Sequence, residues 1–207
     1  MVWNADNPAL GNAVGDDIAD IEENFQCLND RFAYEPLWIP AGAMIPLSTN
    51  GATYGINEYA TNDIMYDYYA FDASTEQYVA FNVVFREDYD LGTVKAKFYW
   101  TTATGSTAAD TVEWEIGGRS VGNSSVIDGS IGTTQVISDA VIENNGTDLQ
   151  ITSATPAITL GGTVLMGDVI NFKVSRNVGG TDDCAEDAWL FGVLIQYGRT
   201  NAAVSAW

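Results

Sequence analysis

The sequence predicts a mainly β protein: an eight-stranded antiparallel β-sandwich of jelly-roll type behind a short N-terminal α-helical segment. Three observations predict it. From residue 64 onward the apolar residues recur with a period of two, as in a half-buried strand. Turn pairs break those runs at regular intervals, including Asp128-Gly129, Gly161-Gly162 and Gly179-Gly180. Near the front, Ile18, Ile21, Phe25, Leu28 and Phe32 recur at a 3-4-3-4 spacing, the narrow seam of a self-associating helix.

The helix is predicted over 16–33. Asp16 and Asp17 place negative charge at its N-terminus, Arg31 lies near its C-terminus, and Pro36 stands just beyond. A helix this short is marginal alone in water, so its stripe needs a cover. Isoleucine at both 18 and 21 favours three copies over two, making the stripe a candidate homotrimer interface. The alternative is that it packs on the chain's own β body. The whole of 1–35 is then an anchoring or trimerising segment, and 199–207 a C-terminal tail.

Residues 36–63 read as an extended connector arm. They hold Pro36, Pro40 and Pro46 and the Asn50-Gly51 turn pair, and proline removes a ladder donor. Trp38, Ile39 and Met44 are too apolar for a bare linker. With Trp3, they are candidate docking residues, to be covered by the body or by another subunit.

The sandwich is expected over 64–198. Its first run, 64–72, carries Tyr66, Tyr68 and Tyr69, candidates for lining a surface. The run 77–85 turns Val79, Phe81, Val83 and Phe85 to one face. The run 93–102 turns in Val94, Ala96, Phe98 and Trp100, and 111–121 turns in Val112, Trp114 and Ile116. Weaker runs follow at 133–143 and 148–159, then strong ones at 168–176 and 188–198. The last is large on both faces, as in a central strand. Trp100 and Trp114 are assigned to the core rather than to a sugar-stacking surface.

The composition argues against chemistry. The chain has 207 residues, 46% of them hydrophobic, enough for a core without a disulfide or metal. It has no histidine, which removes the usual general base and the commonest metal ligand. No P-loop, dinucleotide fingerprint or CxxC motif is present. Carboxylate pairs remain, but 28 acids bring such pairs together by chance, so no catalytic residue and no cofactor are expected. One acidic loop offers a calcium candidate in Asp182, Asp183, Glu186 and Asp187, although its spacing is not that of an EF-hand. A net charge of −20 disfavours nucleic acid and anionic membranes as partners. Cys27 and Cys184 define no disulfide framework. No signal peptide or membrane span is read in the sequence, so synthesis and folding in a cytoplasm are expected.

The stretches LWIPAGAMIPLSTNGA, DYYAFDASTEQYVAFNVVFREDYDLGTVKAKFYWTTATG, ITLGGTVLMGDVINFKVSRN and DAWLFGVLIQYG together resemble β-sandwich proteins encoded among the virion structural genes of tailed bacteriophages. The resemblance spans about residues 36–198. It implies a homotrimeric structural protein, a head fibre or capsid decoration protein on the virion exterior, made in the bacterial host. Its implied partners are other copies of itself and other virion proteins such as capsid or tail. A tail-fibre module that binds a receptor or host glycan is the alternative, and a polysaccharide depolymerase a more distant one. The resemblance implies no catalytic residues.

Overall fold

The computed structural model describes residues 19–27, 33–142 and 148–200. Residues 19–27 form a helix, α1. Eleven strands follow among the described residues: β1 (Tyr34–Pro40), β2 (Ile45–Pro46), β3 (Thr53–Tyr59), β4 (Ile64–Phe71), β5 (Tyr78–Val84), β6 (Tyr89–Thr102), β7 (Thr111–Val121), β8 (Gln135–Ala140), β9 (Gln150–Ile151), β10 (Val169–Arg176) and β11 (Ala188–Arg199).

They build two antiparallel sheets, a β-sandwich of jelly-roll type. One sheet runs β3-β4-β11-β6-β9, with β1 also on β11, and the other runs β2-β5-β10-β7-β8. The period-two residues make the core between them. Phe81, Phe98, Trp100, Trp114 and Phe172 are all fully buried. Phe98 stacks on Trp114 with ring centroids 5.4 Å apart, and Phe81 stacks on Phe172 at 5.2 Å. The predicted inward faces of β5, β6 and β7 are the buried faces.

The arm expected over 36–63 is part of the sandwich. β1 pairs with β11 along all seven of its residues, from Tyr34 opposite Gly198 to Pro40 opposite Gly192. A single 3-10 turn over Ala41–Ala43 then carries the chain to β2, which pairs with β5 in the second sheet. Asn50 takes up a left-handed φ of 54° at the predicted turn. β1 pairs on one edge only, so Pro36 and Pro40, four residues apart, can aim their missing donors at its open edge.

β11 is central, as its two apolar faces suggest. One of its edges lies along β6. The other is shared: residues 188–190 pair with β4, and residues 192–198 pair with β1. Phe191 belongs to none of these ladders, because a register shift between Leu190 and Gly192 skips it. The bulge switches the parity of the strand. Ala188 and Leu190 point into the core before it, and Val193, Ile195 and Tyr197 after it.

Candidate functional site

Where β4 and β1 part on either side of Phe191, the outer face of the first sheet is notched. A cavity of about 450 Å³ opens there, lined by Trp38, Pro40, Tyr66, Asp67, Tyr99, Leu149, Phe191 and Leu194. A second, of about 210 Å³, continues it past Tyr59 and Ile64 and shares Tyr66, Leu149 and Phe191 with the first. Together they form one groove across the sheet.

Strand register places these side chains. Leu194 stands opposite Trp38 on β1 and Lys97 on β6, and Gly192 stands opposite Pro40 and Tyr99. Trp38 therefore reaches Tyr99 across β11, with ring centroids 4.8 Å apart at an interplanar angle of 77°. The absent side chain of Gly192 leaves room for that ring. On the other side, Tyr66 lies 5.1 Å from Phe191 and 6.1 Å from Tyr59. Among the described residues Asp67 is the single charged one in the lining, and it tucks against Gly42, where a Cβ would collide with its carboxylate. Beside the groove, Tyr68 stacks on Trp189 at 4.4 Å, its ring lying over Gly55.

The groove can do three things chemically. Its exposed rings, Trp38 and Tyr66, offer flat apolar platforms, Trp38 being 43% exposed, while Phe191 between them is buried. Its phenol hydroxyls can donate and accept hydrogen bonds. Asp67 accepts them. Among the described residues its lining brings together no nucleophile with a base and holds one carboxylate rather than a pair.

The sequence-derived candidates fall in several places. Of the stripe, Ile21 and Phe25 lie on α1 with 43% and 68% of their surface exposed, while Ile18, Leu28 and Phe32 lie outside the described residues, as does Trp3. Of the docking candidates, Trp38 lines the groove. Ile39 and Met44 are a correction: both are buried in the core, because β1 and the turn after it are built into the sandwich, so neither can dock a partner. Tyr66 lines the groove, whereas Tyr69 is buried and donates its hydroxyl to the Met44 carbonyl at 3.0 Å. Cys27 and Cys184 are both free thiols.

The acidic loop before β11 wraps a cation of the protein's own. Arg176 is fully buried at the end of β10. Its Nε and Nη2 donate to the two carboxylate oxygens of Asp182 at 2.8 and 2.7 Å, and Nη1 donates to the Glu186 carbonyl at 2.7 Å. Asp182 also accepts from the Glu113 amide at 3.0 Å, and Asp183 accepts from the Thr111 amide. Burial pushes the Asp187 carboxyl up, and the charge of Asp72 adds to it. The Asp182 and Asp183 carboxylates thus serve partners within the protein, and among the described residues no three acids or cysteines gather to hold a metal ion.

Tyr99, Leu149, Phe191 and Leu194 are groove residues that the period-two pattern did not single out. The signal for Phe191 was present: Leu190-Phe191-Gly192 breaks the alternation of β11, as a bulge does.

No protein-family model matches the chain, and no curated protein matches it. Among solved structures it is similar to a family 11 carbohydrate-binding module from Clostridium thermocellum, in complex with a β-1,3-1,4-mixed-linked tetrasaccharide, at 9% identity over 79% of this chain and 95% of that one, with a TM-score of 0.39. The carbohydrate-binding module TmCBM27, described for mannan recognition, is similar at 9% identity over 79% and 98%, with a TM-score of 0.40. A protein of unknown function from Shewanella oneidensis is similar at 10% identity over 89% and 97%, with a TM-score of 0.32.

Proposed function

We propose that this chain is a non-catalytic glycan-binding module, taking sugar rings in the groove between Trp38 and Tyr59. The observation that carries this reading is two groups of rings lining one groove, Trp38–Tyr99 and Phe191–Tyr66–Tyr59, with Trp38 and Tyr66 exposed and hydroxyl and carboxylate groups among them. A sugar ring has apolar C–H faces and a hydroxyl rim, so it is met by flat rings and by hydrogen-bonding groups at once. The resemblance to phage virion β-sandwich proteins supports a place for the module on a particle exterior, as in a tail-fibre-type receptor binder. The test is adsorption of the purified full chain to host cells and to a glycan array. Binding that Trp38→Ala abolishes supports the reading, and no binding to any surface or sugar overturns it.

A second reading has its own observation. Phe25 and Ile21 stay exposed on one face of α1, which favours several copies of the helix covering them. We infer a homotrimeric fibre or capsid decoration protein, in which α1 gathers the sandwiches. The native mass of the chain in solution tests it, and a monomer overturns it.

A further inference from the structure

We propose that the groove contains two subsites and selects uncharged oligosaccharides over acidic ones. This rests on the glycan-binding reading and adds to it both a length and a charge for the ligand.

The length comes from the shape. The two cavities meet at a shared wall of Tyr66, Leu149 and Phe191. Each lobe has rings of its own beyond that wall, Trp38 and Tyr99 on one side and Tyr59 on the other. The larger lobe falls within the usual range for small-molecule sites, and the smaller falls below it and extends it. A single sugar ring occupies one lobe. A chain of sugars reaches from the Trp38–Tyr99 pair across Tyr66 to Tyr59, adding a second stacking contact and a second phenol.

The charge comes from the lining and from its surroundings. Among the described residues, Asp67 is the one charged residue that lines either lobe. A sugar carboxylate entering the groove meets that like charge at short range. It also meets the field of a chain with net charge −20. Lys97 is a nearby cation on the same face, opposite Leu194 in the ladder, but it is not part of the lining. The alcohol and phenol chemistry of the groove suits hydroxyls, which Asp67 accepts from without repulsion.

The experiment is titration calorimetry of the full chain with β-1,4-linked trisaccharides of glucose, mannose and galactose, with the matching monosaccharides, and with trigalacturonate. The proposal expects at least one neutral trisaccharide to bind at least about tenfold tighter than its monosaccharide. Tyr59→Ala narrows the gap between that trisaccharide and its monosaccharide, because it removes the second stacking contact. Trigalacturonate binds at least about tenfold weaker than the neutral trisaccharide, and Asp67→Asn narrows the gap. Equal binding of monosaccharide and trisaccharide overturns the two subsites, and tighter binding of trigalacturonate overturns the charge selection. Either result leaves a glycan-binding groove standing, whereas no binding by any of these sugars overturns both parts of the proposal, and no binding to any sugar on the array takes the glycan reading down as well.

Discussion

The Trp38 indole lies across Gly192: a Cβ built on that glycine would run into the ring and would stand 2.6 Å from the Ile39 carbonyl oxygen. The glycine thus sets the ring that begins the groove, and it sits in the sheet beside the bulge. Gly192→Ala should cost about 1–3 kcal/mol, since it adds a methyl where backbone cannot give way. The urea midpoint measures the cost. Sugar binding should fall with it, because the indole must turn away from Tyr99.

Trp38→Ala separates binding from folding. The ring is half exposed and its loss opens no core cavity, so the thermal midpoint should move by only a few degrees. Sugar affinity should fall about tenfold or more, the size of a lost stacking contact. Calorimetry and a melting curve on the same sample check both halves.

Arg176→Ala should be among the most damaging single changes in the chain. It strands the buried Asp182 carboxylate and leaves the Glu186 carbonyl without the donor that Nη1 supplies. Removing one partner of a buried pair costs about 3–5 kcal/mol. A denaturant titration gives the number, and a loss below about 1 kcal/mol would show that water replaces the guanidinium.

Two carboxylates should respond to pH in opposite directions. The hydrogen bond from Arg199, with the charges of Arg199 and Arg86 and against the cost of burial, holds the Asp88 carboxyl below the usual carboxylate range. Its contribution is present above the ordinary value of about 3.9 and is lost as pH falls through the depressed folded value. Asp139 is raised by burial, even though it accepts from Trp100 Nε1 at 2.9 Å. Its ionisation therefore opposes folding above its raised value, and that cost vanishes below about pH 3.9. Asp88→Asn should lower stability at neutral pH. Asp139→Asn, which keeps an acceptor for Trp100, should raise it. Urea midpoints taken at neutral pH and at about pH 3 should show both differences shrinking in acid.

Phe25→Asp places a charge on the exposed face of α1. If that face joins copies, the native mass should fall toward that of one chain, while the far-UV spectrum of the sandwich is unchanged. Light scattering reads the first, and circular dichroism the second.

The sandwich was legible because its core obeys one period. Phe81, Phe98, Trp114 and Ile116 alternate with polar neighbours and lie where the alternation puts them. β1 and β2 were not legible, because three prolines in 36–46 remove ladder donors and the alternation there is short. The groove was half legible. Trp38 and Tyr66 stood out as apolar residues without an assigned core position. Tyr99 and Leu194 come into the groove through cross-strand register, which no local pattern encodes. Phe191 is there because a bulge re-aims it. The acidic loop looked like an ion cage because sequence shows its carboxylates but not that a guanidinium from the neighbouring strand fills it.

The seven-pair ladder between β1 and β11 also has a mechanical meaning. β1 is the first strand after α1, and its partner is the central strand of its sheet. A pull applied at residue 33 is taken up by hydrogen bonds in the middle of the barrel wall rather than by a surface loop. Whatever the helix is tied to, the sandwich is hung from a ladder on the central strand of its sheet, and the notch beside Phe191 lies at the far end of that seam from the load.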